Sequence, residues 1–579
     1  SSSSVTSSQG GATATGQSSS QGGSSATDSS SKRGTSQSGS TGPKGGTSSS
    51  ESSAAKGGAS VGGTTSGTVT GPAGGTSAKG GTANQGGQAQ GGKSTGLGGA
   101  TITGTTTASS SGGTSAGGSR SDAVGGSTST STPPGSEPEV VTSADNAFWK
   151  TGTLTSSTSG TADVTVNDSG STQWDGFGGC FNEAGWDALS ALSDSDKQLA
   201  IKLLFDAADG ANFAYGRIPI GASDYSMSRY TLAETAGDYT MDKFSIARDK
   251  EKLIPYIKAA IGVKSDIHFW ASPWTPPAWM KDNNSTDDGN MKSDDKTLAA
   301  FALYLEKFVL EYGKEGIKVE AIHPQNEPGY VNPYPSCKWS SDLYIKFIRD
   351  YLGPKFQADN VPAAIWCGTM SAPGDGTIAT TLAADSKAMS YVKGFGLQWN
   401  TKDKVSSLKS KGSVMQTEHK CGNYDFATDY WDQSKYSSSK PQNDYAYGIE
   451  SWKNIKDWVS AGVNSYSAWN MVLDTSGTNL NASKPWHQNA LLVVDRGAKK
   501  LIQTPAYYVF RHLSQYVDPG AKVLSTSGGD ALAFKNPDGT YVAVIYNSGA
   551  AKTMTVSVGG TKLQFSAPNN GWATINYKK

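Results

Sequence analysis

Eight apolar, strand-like runs recur along the chain, at 175–180, 212–220, 266–272, 319–325, 363–369, 394–399, 413–418 and 465–470. Amphipathic stretches separate them. Ser193-Asp194-Ser195-Asp196 reads as a helix start, with Ser193 as cap and Asp196 three residues on. Phe301, Leu305, Phe308 and Tyr312 fall at helical spacing, as do Ile246, Leu253, Ile254, Ile257 and Ile261. Strands joined by helices run parallel, and eight such repeats over roughly 325 residues predict a (β/α)8 barrel. A doubly wound sheet is the alternative, but no GxGxxG or phosphate-binding loop follows an early strand.

Composition decides where that barrel can begin. The first 147 residues contain no Phe, Trp, Tyr, Cys or His, and all 15 Trp and all four Cys lie beyond them. A segment without aromatics and nearly without large aliphatics cannot bury enough apolar surface to offset chain entropy. Residues 1–144 therefore read as a disordered Ser/Gly/Thr-rich tether, with a glycosylated stalk as the runner-up.

The tail changes character. Short strand-like runs at 531–535, 541–546, 553–558 and 573–577, with Asn536-Pro537-Asp538-Gly539 as a hairpin turn, predict a small β-sandwich. The expected division is a tether at 1–144, strands at 145–172 that join the sandwich, a catalytic barrel at 173–499, and the sandwich at 500–579.

Net charge is zero, which gives no reason to expect nucleic acid or an anionic membrane as partner. No run of eighteen apolar residues occurs, so no integral membrane segment is expected. The chain starts at Ser1 rather than Met, as after removal of an export signal, and its leader suits a secreted or cell-surface monomer. No Cys/His cluster has metal-ligand spacing, so neither a metal nor another cofactor is expected. Cys180, Cys337, Cys367 and Cys421 allow three pairings, or four thiols. If one bridge exists, Cys337 with Cys421 is the favoured pair, since each follows one of two glutamates that also carry the chemistry.

Those glutamates are Glu327, in Ile322-His323-Pro324-Gln325-Asn326-Glu327-Pro328, and Glu418, in Gln416-Thr417-Glu418. They close the fourth and seventh predicted strands. In a parallel barrel the active site lies at the carboxyl ends of the strands. Two carboxylates there are what an acid-base hydrolase of glycosidic bonds needs. The other strand ends carry Arg217, Trp274, Trp399, Trp469 and Asn470. Indole faces stack on sugar rings, while carboxylates and amides bind hydroxyls. With five His and no G-x-S-x-G elbow, a Ser–His–Asp site has no support. Singly, each glutamate could be a surface carboxylate, each Trp a core residue, and Arg217 the structural partner of a buried carboxylate.

Five blocks in order resemble glycoside hydrolase family 30, which includes glucosylceramidases, endo-β-1,6-glucanases and xylanases. They are Asp175-Gly176-Phe177-Gly178-Gly179, Arg217 to Ser226, Ala271 to Lys281, Gln325-Asn326-Glu327-Pro328 and Gln416-Thr417-Glu418, spread over 173–515. The resemblance implies a barrel with a fused β-sandwich. It implies Glu327 as general acid/base, Glu418 as nucleophile and Asn326 at the sugar 2-hydroxyl. Arg217, Asp224, Trp274 and Trp469 would line the subsite of the non-reducing sugar. Gln398-Trp399 stands where the glucosylceramidases have His-Trp, and the segments 283–293 and 333–337 also differ from the lysosomal enzyme. The expected activity is retaining hydrolysis of β-1,6-glucan or a related β-glucoside. Xylan and glucosylceramide are the alternatives within the family. A non-catalytic carbohydrate-binding surface protein is the alternative from another class.

Overall fold

Short runs of branched and aromatic residues build the parallel strands of a closed barrel in the computed structural model, which describes residues 139–421, 443–480 and 487–579. The strands are β1 (Gly176–Cys180), β2 (Tyr215–Ile220), β3 (His268–Pro273), β4 (Val319–Ile322), β5 (Ala364–Ile365), β6 (Thr369–Met370), β7 (Gly394–Gln398), β8 (Ser413–His419) and β9 (Ser465–Asn470). They pair in the order β5-β4-β3-β2-β1-β9-β8-β7-β6. β5 and β6 are two halves of the run expected as one strand at 363–369, and together they close the ring.

The break between them has a local cause. Gly368 sits at φ +69°, and a Cβ there would lie 2.3 Å from the Tyr344 hydroxyl, so only glycine fits. Hydrogen bonds carry the sheet across the gap. Trp366 N–H donates to Ile322 O (2.9 Å) on one side, and Cys367 N–H donates to Gly394 O (2.9 Å) on the other. β4 also ends earlier than expected, at Ile322, and residues 323–327 continue without regular strand, with one bridge between Asn326 and Thr369.

Helices cover the barrel. The longest, Asp295–Lys314, buries Phe301, Leu305, Phe308 and Tyr312 on one face, and Asp294 caps its start. Ser193 caps Asp194–Phe205, its hydroxyl accepting from Asp196 N–H (3.1 Å). Inside, Trp270, Ala321 and Met415 fill the barrel. His323 lies against Trp270 and Trp366, with ring centroids 4.4 and 5.3 Å away. Burial pushes its pKa down to about 3, so the ring is neutral, and Nδ1–H donates to Gly368 O (2.9 Å).

The sandwich draws strands from both sides of the barrel in sequence. Glu139–Ala144 pairs with Ala147–Gly152 and with Gly571–Tyr577, and Val164–Asn167 pairs with Ala521–Ser527 and Lys552–Val558. The hairpin turn at 536–539 joins Asp530–Lys535 to Tyr541–Asn547, with Gly539 at φ +90°.

Two boundaries differ from expectation. Residues 1–138 of the expected tether lie outside the described residues, but Glu139–Ala144 is a strand with Val140 and Val141 buried. At the other end, Lys500–Gln503 pairs with Leu492–Asp495, which pairs with Val472–Asp474 just past β9. Helix Pro505–Ser514 packs against helix Tyr445–Ala461 and buries Tyr507, Phe510 and Leu513 in the barrel's core. Residues 500–514 therefore belong with the barrel, and the sandwich resumes at Ala521. His512 pins the two parts together: Nδ1 meets Thr574 Oγ1 and Nε2 meets Ser143 Oγ, both at 2.8 Å.

All four cysteines are buried free thiols, so the favoured Cys337–Cys421 bridge is not formed. Burial pushes both of these thiols up to about 12, which keeps them protonated.

Candidate active site

A cavity of about 510 Å³ opens at the carboxyl ends of the strands. Seven of the eight candidate residues line it: Asp224, Trp274, Asn326, Glu327, Trp399, Glu418 and Trp469. Arg217 does not. It lies fully buried beneath the floor, which corrects its expected place among sugar-binding groups.

Glu418 reaches the cavity through an irregularity in β8. Gln416 lies opposite Leu397, but Glu418 lies opposite Gln398, so β8 carries one extra residue. Strict alternation would turn Thr417 and Glu418 to opposite faces, whereas the bulge brings both to the site. Thr417 Oγ1 donates to Gln398 Oε1 (3.0 Å). Glu418 Oε2 accepts from Arg217 Nη1, and Oε1 accepts from Trp399 Nε1 (3.0 Å).

Arg217 acts as a hub. Its Nε and Nη2 both donate to Ser272 Oγ (3.2 and 3.0 Å), and Nη2 donates to Asn326 Oδ1 (2.7 Å). The guanidinium also lies 4.3 Å from the centroid of Trp274 and 5.0 Å from that of Trp270. Thr369 Oγ1 adds a second donor to Asn326 Oδ1 (2.8 Å). With the oxygen so occupied, Asn326 has its Nδ2 left to offer a ligand.

Glu327 is held differently. It follows β4 by five residues, and its N–H donates to Thr369 O (2.9 Å). Its φ is +49°, and that of Trp399 is +46°. Non-glycine residues seldom adopt such backbone, and it persists where the surroundings over-determine it. Gln398 Nε2 donates to Glu327 Oε1 (3.3 Å) and reaches Asn326 Oδ1 (3.5 Å), which Arg217 ties to Glu418.

Burial, then the charges of Glu418 and Asp375, push Glu327 up to about 8. Burial also pushes Glu418 up, but Arg217 and Trp399 oppose that by favouring its charged form. Of the pair, Glu327 holds the proton. Asp224 is raised as well, by burial and then by both glutamates, and its Oδ1 is buried without a hydrogen-bond partner.

Trp274 and Trp469 stack on each other at one side of the cavity, with centroids 5.3 Å apart. Asn470 stands behind them, its Nδ2 donating to Gln488 Oε1 (3.0 Å). The two segments that set this chain apart at 283–293 and 333–337 form one rim. Ser336 N–H donates to Thr286 O (3.1 Å), Lys338 N–H donates to Gly289 O (2.9 Å), and the buried Lys281 ammonium donates to Thr286 O (2.9 Å). Tyr334, from this rim, lines the cavity.

Sequence reasoning missed Gln398 as a working group, and also Tyr330, Tyr334, Ser371 and Gln488. Gln398 was visible only as a departure from a pattern. The others sit in loops beyond strand ends and belong to no motif. Among the described residues, no cluster of three His, Cys, Asp or Glu could hold a metal ion, and no helix is long and apolar enough to cross a membrane.

Comparison with known proteins agrees with this architecture. The family model for the glycosyl hydrolase family 30 TIM-barrel domain matches residues 174–517, and that for the family's β-sandwich domain matches residues 520–575. An endo-1,6-β-D-glucanase of Trichoderma harzianum is 27% identical over 405 residues, covering 64% of this chain and 77% of that protein. The lysosomal acid glucosylceramidase of Mus musculus is 25% identical over 399 residues, covering 64% and 74%. The crystal structure of SrfJ from Salmonella typhimurium shares the fold, with TM-score 0.66 and 23% identity over 76% of this chain and 99% of that one. The chain belongs to glycosyl hydrolase family 30 and is a glycosidase.

Proposed function

We propose that this glycosidase works with retention, Glu418 as nucleophile and Glu327 as general acid/base, on β-1,6-glucan or a related β-glucoside. The observation that carries the mechanism is that both carboxyls line one cavity and are tied together through Gln398, Asn326 and Arg217. Retention needs the two carboxyls about 5–5.5 Å apart for direct attack on the sugar, whereas inverting enzymes hold theirs about 6.5–9.5 Å apart to admit a water.

In the first step, ionised Glu418 attacks the anomeric carbon while the Glu327 proton passes to the leaving oxygen. The aglycone departs and a covalent glycosyl-Glu418 ester remains. Glu327, now a carboxylate, takes a proton from water, and the resulting hydroxide displaces Glu418. Asn326 Nδ2 is placed to donate to the sugar 2-hydroxyl. Asp224, with an oxygen lacking a partner, is placed to accept from another hydroxyl. Trp274 and Trp469 give the ring an apolar wall, and Trp399 orients Glu418 through its indole N–H. Arg217 keeps Glu418 and Asn326 in place from below.

Similarity to an endo-1,6-β-D-glucanase supports the substrate class. Gln398, where the resembling glucosylceramidases have His, argues against glucosylceramide. An extracellular or cell-surface place belongs to the same proposal, supported by the Ser/Gly/Thr-rich leader.

The test is a panel of β-1,6-glucan, glucuronoxylan and glucosylceramide, with products sized and Glu418→Ala as the control. Release of oligosaccharides from β-1,6-glucan by the native protein alone is expected. Turnover confined to xylan or to glucosylceramide contradicts the substrate, and binding to glycans with no turnover on any of them contradicts the catalytic reading.

A further inference from the structure

Two cations tie down the rim of the cavity, one buried and one exposed, and Tyr334 stands between them. It is 5% exposed, yet it lines the cavity and belongs to the same buried apolar cluster as Trp274, Trp469 and Tyr225. The barrel itself fixes the two tryptophans, since Trp274 directly follows β3 and Trp469 lies in β9. Tyr334 has no such support. It comes from the loop after β4, and its place depends on what holds that loop.

The inner cation is the buried Lys281. Its ammonium donates to Thr275 Oγ1 (3.2 Å), Thr286 O (2.9 Å) and Ser336 O (2.5 Å). Thr275 is next to Trp274 in sequence, and Ser336 lies two residues past Tyr334. One ammonium thus ties the tyrosine loop to the tryptophan wall. Ser336 also closes the loop on itself, its Oγ accepting from Asn332 N–H (3.0 Å) and donating to Asn332 O (2.9 Å).

The outer cation is Arg229, from the loop after β2. Its Nε and Nη2 both lie 2.7 Å from Asp287 Oδ2, and Nη2 also donates to Pro333 O (3.1 Å). Pro333 directly precedes Tyr334, so Arg229 holds one side of the tyrosine and Lys281 the other. The side chains of Arg229 and Asp287 are 37% and 22% exposed. An ion pair so exposed adds little to overall stability. Its contribution here is geometric, because a planar guanidinium fixes the direction of its partners as a point charge does not.

We propose that Tyr334 is a sugar-contacting residue that extends the Trp274–Trp469 wall onto the rim, and that Arg229 and Asp287 are the positioning pair that holds it there. This rests on the reading of that wall as the seat of a sugar ring. A pyranose offers apolar C–H faces to aromatic rings, so the ring of Tyr334 rather than its hydroxyl makes the contact. Such a contact is made equally in the bound substrate and in the transition state, and its loss raises KM without lowering kcat.

Tyr334→Ala is therefore expected to raise KM on the glycan about tenfold with kcat nearly unchanged, whereas Tyr334→Phe keeps the ring and the native KM. Arg229→Ala and Asp287→Ala each raise KM about threefold, and neither adds to the effect of Tyr334→Ala, because both act through the ring already removed.

The experiment measures kcat and KM on β-1,6-glucan for the native protein, these four variants and the double variant Arg229→Ala with Tyr334→Ala, with a thermal melt for each. Should Tyr334→Ala fail to fold, Tyr334→Leu, which fills much of the same space without an aromatic face, takes its place. A KM rise in Tyr334→Ala that is spared in Tyr334→Phe and not increased in the double variant is the expected result. Equal losses in the Ala and Phe variants, or a fall in kcat with unmoved KM, overturn the ring contact. Multiplying effects of Arg229→Ala and Tyr334→Ala overturn the positioning pair. Failure of the native protein to cleave β-1,6-glucan overturns the substrate reading instead, and the same comparison on the glycan it does cleave then decides this proposal.

Discussion

Glu418→Ala is expected to lower kcat on a glycan by about 10⁴-fold or more, because no covalent intermediate can form without the carboxylate. That is about 5.4 kcal/mol of barrel-borne transition-state stabilisation at 1.36 kcal/mol per decade. The loss falls on kcat rather than KM. Glu418 takes its hydrogen bonds from Arg217 and Trp399 rather than from the Trp274–Trp469 wall or the Asn326 amide, so sugar binding survives. Turnover on β-1,6-glucan, with binding followed separately by calorimetry, checks this. A variant that keeps a tenth of native turnover contradicts Glu418 as nucleophile.

Arg217→Met is expected to damage both stability and catalysis. The guanidinium is fully buried and serves Glu418, Asn326 and Ser272 at once. Removing one partner of a buried pair leaves an uncompensated charge and costs about 3–5 kcal/mol. The penalty depends on pH. Burial already raises the Glu418 pKa, and loss of Arg217 raises it further. A carboxylate with a raised folded-state pKa destabilises the fold as it ionises, so the deficit of the variant grows as pH rises and is smallest in acid. Catalysis falls for the same reason, since a protonated Glu418 cannot attack. Melting temperatures of native and variant protein between pH 4 and pH 8 test this. A deficit that does not widen with pH contradicts the charge-holding role.

The barrel was legible because its strands carry their own signal. β3, β7, β8 and β9 lie within a residue or two of their expected bounds, since each is a short apolar run closed by a polar or aromatic residue. The fifth strand was not, because its interruption depends on the Tyr344 hydroxyl crowding Gly368, a contact from another element. The boundary at 500 failed for a similar reason. Lys500–Gln503 and Pro505–Ser514 resemble any strand and helix, and only their packing against the barrel assigns them.

The site was legible where motifs carried it. Glu418 closes a strand after an apolar run, Asn326 and Glu327 lie just past one beside a proline, and the tryptophans follow the same rule. Arg217 was placed at the right height but on the wrong side of the cavity floor, since inward and upward cannot be told apart in sequence. Gln398 showed only as a departure from the family's pattern, and Ser371, which also lines the cavity, gives no signal of its own. Each is a single polar residue whose role exists only once β6, β7 and the loop after β4 are brought together.

The central claim is retention through a pair of neighbouring carboxylates. Proton NMR of the anomeric signals during the first minutes of hydrolysis, before mutarotation, tests it most directly. The β-anomer is predicted to appear first, with the α-anomer growing only as the sugar equilibrates. Initial appearance of the α-anomer would contradict the account, because it would require a water between Glu327 and Glu418.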